Sequence, residues 1–367
     1  MKTILSIVGT RPEAIKMAPI IQELQRRGDA FHSVVCSTGQ HRQMLDQSFG
    51  FFGIKPDLDL GLMTHNQTLS GLTALLFSAL DPVVQQIEPN WILAQGDTTS
   101  VLVAALIAYY HRVPFGHVEA GLRTQDKFQP FPEEMNRRLA DQAADLLFAP
   151  TETSRKALLG EGFPDSRIKV TGNTAVDALN SIANSPYDWQ SGPLHMIDRS
   201  RPWVLITAHR RESFGDPFRN LCEAIKELAL RFGPQGIQFL YPVHLNPNVR
   251  TPVAEILSQV PSLHLIDPLD YRSFVAAMAG AKLILSDSGG VQEEAPGLGV
   301  PVLVMRETTE RPEGITAGVS RLVGTARARI VAEASALLVD EAKRSAMISG
   351  KNPYGDGHAA QRIVDHL

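Results

Sequence analysis

The sequence predicts an α/β protein made of two doubly wound, Rossmann-like domains that face an interdomain cleft. Short apolar runs alternate with amphipathic helical stretches along most of the chain, which is the pattern of a parallel sheet with crossover helices. The chain has 367 residues, more than one domain core usually holds. The alternation stops once, at residues 181–202, where Pro, Ser and Asn occur without periodicity. We therefore place the two domains at residues 1–176 and 177–354.

The first domain contains six predicted strands, each a short apolar run. They are Thr3–Val8, Ser33–Ser37, Trp91–Ala94, Val113–Val118, Leu146–Ala149 and Lys169–Thr171. Three helices are predicted between them, Glu13–Arg27, Gln67–Ile87 and Ser100–His111. Pro12 and Gly28 fit the start and the end of the first helix, and Pro82 is expected to break the second.

The second domain repeats this alternation after the pause. Its predicted strands are Trp203–Thr207, Gln238–Tyr241, Leu263–Leu265 and Leu283–Ser286, and its predicted helices are Leu221–Phe232 and Phe274–Ala279. The return of strand and helix in turn predicts a second doubly wound sheet.

Composition narrows the class of protein. The chain is 44% hydrophobic and 20% charged with a net charge of -4, a balance that argues against nucleic-acid binding as its main function. Cys36 and Cys222 are too few for a disulfide framework, which indicates a reducing compartment such as the cytoplasm. The N-terminal apolar stretch is too short for a signal peptide, and no run is long enough to span a membrane.

The most informative stretch is the glycine turn that follows the apolar run at 281–285. The N–H groups of residues 288–290 can point at one anion, and a helix that opens there adds the attraction of its dipole. Glu294 lies about one helical turn further on, where its carboxylate can accept hydrogen bonds from ribose hydroxyls. Diphosphate on the glycines and ribose on Glu294 describe a nucleotide-sugar site, although an ordinary strand–turn–helix junction explains the glycine turn alone equally well. Pro296 limits the helix to a short or kinked piece.

Four further polar clusters follow predicted strands, where open α/β sheets bind their ligands. They contain Arg11 and Lys16, Asp97, Glu119, and the stretch His209–Glu212. Each has an ordinary explanation by itself, such as a surface charge for Lys16 or a helix N-cap for Asp97. The chain shows no dinucleotide fingerprint, no P-loop pattern and no metal-ligand spacing, so neither nicotinamide, ATP nor a metal cofactor is indicated.

Nine motif segments extend this pattern over the chain: Gly9–Ile20, Gln95–Thr99, His117–Thr124, Pro132–Arg137, Gly172–Thr174, His209–Ser213, Tyr241–Val249, Leu285–Pro296 and Pro301–Pro312. Together they resemble the non-hydrolysing UDP-N-acetylglucosamine 2-epimerases. The resemblance implies the glycosyltransferase-B architecture, with a last helix at about 355–367 that crosses back to the first domain, and it implies a homodimer that needs no nicotinamide. It also implies interconversion of UDP-GlcNAc and UDP-ManNAc, which supplies ManNAc units for cell-surface polysaccharide.

The resemblance carries roles over to individual positions. The implied catalytic residues are Asp97, Glu119, Glu133 and His209. The implied substrate-binding residues are Arg11, Lys16, Asp97, Glu119, His209, Phe274, Ser288, Gly289, Gly290, Glu294 and Arg311. Many family members bind a second UDP-GlcNAc as an activator, and the matching positions are Gln40, Gln43, Glu134, Arg210 and His244. The chain has Leu269 where the family often has Gln, so a side-chain contact to uracil at that position is not expected.

Chemistry fits this assignment. The hydrogen at C2 of the sugar is not next to a carbonyl, so expulsion of UDP from C1 must acidify it, and carboxylates must then move the proton. Two alternatives stay open. One is a 2-epimerase for another UDP-sugar, such as a diacetamido-uronic acid or a 6-deoxy sugar. The other is a glycosyltransferase on the same fold, which shares Glu294 and the glycine turn but leaves Asp97, Glu119 and Glu133 unexplained.

Overall fold

The chain consists of two compact units in a computed structural model that describes residues 1–39, 48–62, 67–124, 126–348, 350 and 352–367. The first unit comprises residues 1–178 together with 354–367, and the second comprises residues 179–353. The point of division lies within the helix Thr174–Ala183.

Within the described residues, the first unit contains a seven-stranded parallel sheet in the order β3-β2-β1-β4-β5-β6-β7. Its strands are β1 Lys2–Val8, β2 Phe31–Ser37, β3 Leu58–Asp59, β4 Trp91–Gln95, β5 Phe115–Val118, β6 Leu146–Ala149 and β7 Ile168–Val170. The strand order reverses at β1, which pairs with both β2 and β4. The loops that follow β1 and β4 therefore flank the switch point at which open α/β sheets bind ligands.

The helices of the first unit cover this sheet. They are α1 Arg11–Arg26, α2 Leu69–Ile87, α3 Thr99–His111, α4 Glu133–Ala143, α5 Glu152–Gly160 and α6 Thr174–Ala183, with the last helix of the chain, Ala359–Asp365. That last helix is tied to the first unit, since Ala360 N donates to Asp177 Oδ1 at 2.8 Å and Arg27 pairs with Asp365 at 2.6 Å.

The expectation that Pro82 breaks the second helix is wrong, because α2 runs through it without interruption. A proline inside a helix costs about 3 kcal/mol. Leu76 and Leu80 before the proline and Val83 and Val84 after it are all buried, so packing holds the turns on both sides in helical form.

The second unit contains a six-stranded parallel sheet in the order β10-β9-β8-β11-β12-β13 within the described residues. Its strands are β8 Trp203–Thr207, β9 Gln238–Pro242, β10 Leu263–Ile266, β11 Leu283–Ser286, β12 Val302–Val304 and β13 Ser320–Leu322. Its helices are α7 Asp216–Phe232, α8 Pro247–Leu257, α9 Tyr271–Ala279, α10 Gly289–Glu294, α11 Pro312–Thr316, α12 Arg327–Val339 and α13 Glu341–Ile348. The last helix of the chain, Ala359–Asp365, which belongs to the first unit, is α14. The order reverses between β8 and β11, and both sheets confirm the predicted doubly wound α/β class.

The boundaries differ from the prediction where sequence signals are weak. Helix α7 begins at Asp216 rather than Leu221, and α9 begins at Tyr271 rather than Phe274. Strands β3, β12 and β13 were not predicted, since runs of two or three residues show little periodicity; of the observed strands this short, β7 was the one predicted, as Lys169–Thr171. The strands of each sheet contribute buried side chains to a separate hydrophobic core. None of the helices in the described part of the chain has the length and hydropathy needed to cross a bilayer.

Candidate active site

The turn from β1 into α1 is closed by a capping box. Thr10 is the N-cap of α1, and its hydroxyl accepts from Glu13 N at 3.4 Å. The Glu13 carboxylate accepts in return from Gly9 N at 2.5 Å and from Thr10 N at 2.9 Å. Glu13 is 3% exposed, and this burial raises its pKa to about 7. The capping box fixes the direction in which α1 leaves the sheet, and α1 carries both Arg11 and Lys16.

Lys16 and Glu119 form a partly buried ion pair. Lys16 Nζ donates to Glu119 Oε2 at 2.5 Å, and Gln95 Nε2 donates to the same oxygen at 2.9 Å. The Glu119 side chain is only 7% exposed. Its backbone has φ +67°, a left-handed conformation that turns the chain sharply after β5 and aims the carboxylate towards β4 and α1. Two predicted residues that lie 103 positions apart are thus brought into contact.

Behind this pair lies a buried charged network that sequence analysis did not identify. His117 on β5 and Asp141 on α4 are both 0% exposed, and their Nδ1 and Oδ1 atoms are 2.6 Å apart. His117 Nε2 lies 2.7 Å from the carbonyl oxygen of Gly96, and Arg123 pairs with Asp141 at 2.7 Å. The network therefore joins the loop that carries Asp97 to the strand that leads into Glu119. The sequence feature that could have indicated this network is His117, a titratable residue within the otherwise apolar strand Phe115–Val118.

The charges within this network determine the protonation states of His117 and Asp141. Burial opposes a charged His117, but the charge of Asp141 and hydrogen bonds to Asp141 and Gly96 raise its pKa. Burial would likewise raise the pKa of Asp141, yet the positive charges of His117 and Arg123 lower it. His117 is accordingly the cationic, double-donor form that both of its hydrogen bonds require.

Helix α4 holds Asp97 from the other side. Arg137 pairs with the Asp97 carboxylate and with Glu134 at 3.3 Å, and Asn136 Nδ2 donates to the Asp97 carbonyl at 3.0 Å. Thr98, not Asp97, is the N-cap of α3, so the N-cap explanation of Asp97 is wrong. The Asp97 side chain is 28% exposed and remains reachable from solvent.

The adjacent residues Glu133 and Glu134 lie in different surroundings. Glu134 is fully buried, and its oxygens accept from Thr124 N at 3.1 Å and from Arg138 Nε at 3.0 Å. Glu133 is half-buried at the first position of α4. Among the described residues, no hydrogen bond or ion pair joins Glu133 or Arg11 to another side chain, so the structure does not bring these two predicted residues into the Lys16–Glu119 pair.

In the second unit, one carboxylate joins the ends of β8 and β11. Asp287 Oδ2 accepts from His209 N at 2.6 Å and from Arg210 N at 2.8 Å. The His209 ring lies with Nδ1 3.8 Å from Asp287 Oδ1 and stacks on His244 with ring centroids 5.1 Å apart. Burial lowers the pKa of His209 and raises that of Asp287, with the charge of each opposing the shift of the other. A predicted substrate residue and a predicted activator residue are therefore in direct contact.

The predicted glycine turn opens a short helix beneath two guanidinium groups. Ser288 is the N-cap of α10, and Pro296 follows in a 3-10 turn, so the expected limit on helix length is confirmed. A Cβ atom on Gly289 would lie 3.2 Å from Arg311 Cζ and 3.4 Å from Arg210 Nη2. Two cations thus lie directly against the backbone at the helix N-terminus, where their N–H groups and those of the backbone can bind an anion.

Glu294 lies at the end of α10 and meets α9. Tyr271 Oη donates to Glu294 Oε1 at 3.2 Å, and Glu294 is 9% exposed. Phe274 is on the same helix as Tyr271 and is half-buried, and Leu269 just before that helix is buried. Tyr271 was not predicted, because its contact with Glu294 spans 23 residues.

A cluster of charges surrounds the same guanidinium groups. We call it the Arg–Glu cluster; its members are Arg210, Arg306, Arg311, Glu212, Glu293 and Glu310. Arg311 pairs with Glu293 at 2.8 Å and with Glu310 at 3.1 Å. Burial alone would raise the pKa of Glu310, but the surrounding arginines lower it to about 2. Of this cluster, Arg210 and Arg311 were assigned roles from the sequence, and Glu212 lies in the predicted stretch His209–Glu212. The close spacing of Arg306, Glu310 and Arg311 in the sequence could have indicated the rest.

The predicted activator residues are divided between the two units and a segment outside the described residues. Gln40 and Gln43 lie outside the described residues. Glu134 is buried in the first unit, whereas Arg210 and His244 belong to the second.

Comparison with known proteins gives one consistent result. Residues 22–367 match the family described as UDP-N-acetylglucosamine 2-epimerase. The UDP-N-acetylglucosamine 2-epimerase of Escherichia coli K12 is 50% identical, over 99% of this chain and 98% of that protein. The protein of the same name from Yersinia pestis is also 50% identical, with the same coverage.

Solved structures agree with the sequence relatives. A UDP-GlcNAc 2-epimerase from Neisseria meningitidis bound to UDP-GlcNAc has a TM-score of 0.90 and 44% identity, covering 100% of this chain and 99% of that one. The enzyme from Methanocaldococcus jannaschii in complex with UDP-GlcNAc and UDP has a TM-score of 0.81 and 32% identity, with the same coverage.

Proposed function

The chain belongs to the UDP-N-acetylglucosamine 2-epimerase family, and we propose that it interconverts UDP-GlcNAc and UDP-ManNAc as an isomerase. The observations that support this are the two guanidinium groups against the glycine turn in the second unit and, in the first unit, the hydrogen-bonded carboxylates of Glu119 and Asp97. The same residues would serve a 2-epimerase for a different UDP-sugar, and the UDP-GlcNAc bound to the Neisseria relative favours UDP-GlcNAc.

The second unit holds UDP in this proposal. Two guanidinium groups at the N-terminus of α10 bind the diphosphate together with the N–H groups of Ser288, Gly289 and Gly290. Glu294, held by Tyr271, accepts from the ribose hydroxyls. Phe274 contacts the uracil ring, and the base is hydrogen-bonded by backbone groups because Leu269 offers none from its side chain. His209 and Arg11 add donors to the diphosphate.

The first unit supplies the proton transfers. A carboxylate removes the proton from C2 while the C1–O bond breaks, and UDP leaves with the electron pair of that bond. This anti elimination gives a 2-acetamidoglucal with a C1–C2 double bond. Protonation of C2 on the opposite face and return of UDP to C1 give the epimer. Asp97, Glu119 and Glu133 share these steps, and the order of acid and base among them is left open.

The contacts around these carboxylates support that assignment. Lys16 and Gln95 bind a single oxygen of Glu119, which orients the carboxylate. Arg137 and the His117–Asp141 network fix Asp97 from two sides. Oriented carboxylates need little rearrangement as the proton moves. Since ionisation at C1 acidifies C2–H, the route requires no redox cofactor.

Regulation and assembly follow the family in our proposal. A second UDP-GlcNAc acts as activator through Gln40, Gln43, Glu134, Arg210 and His244, with Arg210 shared between this activator and the diphosphate of the substrate. The protein works as a homodimer in the cytoplasm to supply ManNAc units for cell-surface polysaccharide. The stacking of His244 on His209 supports coupling between activator and substrate, because a ligand that moves one ring must move the other.

Proton NMR of UDP-GlcNAc with the pure protein in heavy water tests the proposed reaction. We expect UDP-ManNAc that carries deuterium at C2 and hydrogen at C3 and C4. Free ManNAc would indicate a hydrolysing enzyme, and no reaction without an acceptor would favour a glycosyltransferase. Product without deuterium at C2 would contradict elimination and re-addition.

A further inference from the structure

Counted over its six named members, the Arg–Glu cluster carries equal positive and negative charge before any ligand arrives. It contains three guanidinium groups and three carboxylates, whose ion-pair distances run from 2.7 to 3.7 Å. Attraction for an incoming anion therefore depends on how far these internal pairs are broken, since each carboxylate cancels part of the field of the arginines.

Glu310 is the member that contacts every arginine of the cluster. Its Oε1 lies 3.1 Å from Arg311 Nη1 and 3.7 Å from Arg210 Nη2, and its Oε2 lies 2.7 Å from Arg306 Nη1. Arg210 and Arg311 are the two groups that lie against Gly289. Glu310 thus binds the donors that the diphosphate of UDP is proposed to use.

We propose that Glu310 is an internal counter-ion that the diphosphate displaces from Arg210 and Arg311, so that this one carboxylate sets the affinity for UDP and the rate of UDP release. The inference rests on the proposed function, because it assumes that the glycine turn binds a diphosphate.

The contacts of Glu310 keep the free-energy cost of its displacement by the diphosphate small. Glu310 is 23% exposed on its side chain, and its contact with Arg306 uses the other oxygen, so it keeps one cation when it gives up two. Its pKa of about 2 keeps it negatively charged throughout the working range of pH. A carboxylate that is ready to return also limits how tightly UDP is trapped once the C1–O bond has broken.

The test compares Glu310→Gln with Glu212→Gln. Both substitutions remove one negative charge from the cluster, but among the described arginines Glu212 pairs with Arg306 alone, at 2.7 Å. Binding of UDP and of uridine is measured by calorimetry, and UDP release by stopped-flow fluorescence. We expect Glu310→Gln to tighten UDP binding roughly tenfold, mainly through slower release, while uridine affinity is unchanged. Glu212→Gln should change UDP affinity less than about twofold.

Four outcomes would count against the proposal or against the function on which it rests. Unchanged or weaker UDP binding by a folded Glu310→Gln protein overturns the counter-ion role, and an equal gain in Glu212→Gln would show a general charge effect instead. Glu310→Asp keeps the charge and shortens the reach, so it should tighten UDP binding by a smaller factor; a loss there also counts against displacement. A wild-type protein that does not bind UDP would refute the proposed function itself.

Discussion

Replacement of Asp141 by Asn tests whether the buried network holds the first unit together. Asp141 is 0% exposed, lies 2.6 Å from His117 Nδ1 and pairs with Arg123 at 2.7 Å. Removal of one partner from a buried ion pair costs about 3–5 kcal/mol. Arg123 keeps Glu161 at 2.7 Å, and Asn keeps the volume, so we expect a loss near the lower end, about 3 kcal/mol.

The two pKa shifts also predict how the free energy of unfolding changes with pH. The pKa of His117 is raised above 6.5, so the stability it contributes is complete below pH 6.5 and is lost as pH rises through the folded pKa. The pKa of Asp141 is lowered below 3.8, so its contribution is complete above pH 3.8 and is lost as pH falls through the folded pKa. Wild type should therefore lose free energy of unfolding between neutral and alkaline pH, and Asp141→Asn should lose less.

The assay is urea unfolding at several pH values, with hydrogen exchange of the first unit as a local probe. Asp81→Asn is the matched control, because Asp81 forms a second Asp–His pair, with His111 at 2.7 Å, on the surface of the same unit. That variant should lose less than about 1 kcal/mol. Equal losses in the two variants, or an unchanged pH slope in Asp141→Asn, would refute the reasoning.

Three further outcomes are expected from the proposed site. Glu294→Ala should weaken UDP binding by about 2–3 kcal/mol in calorimetry, because two ribose hydroxyls lose their acceptor; unchanged affinity would remove the ribose assignment. Glu119→Gln and Asp97→Asn should lower the epimerisation rate by about 10²–10⁴ with UDP binding retained, and full activity in both would reject their catalytic role. UDP-ManNAc alone should turn over slowly until a trace of UDP-GlcNAc is added, whereas progress curves without a lag would argue against the activator.

The sequence alone determined the fold class, and it marked out the glycine turn that we propose as the nucleotide half of the site. Alternation of short apolar runs and helices requires a parallel sheet with crossover helices, and both observed sheets have that form. The glycine turn and Glu294 were recognisable because the residues of a strand–turn–helix junction are neighbours in the chain. Pro296 acted as expected for the same local reason.

Only the tertiary structure decided the partners of the charged residues. Lys16 meets Glu119 across 103 positions, and His209 N meets Asp287 across 78. Such pairs depend on the order of strands in the sheet, which a periodic pattern does not specify, because each strand could lie beside several others. Tertiary packing also decided the backbone conformation at Pro82. The sequence indicates that a proline destabilises a helix, but not that burial of the neighbouring side chains of α2 in the core outweighs this effect.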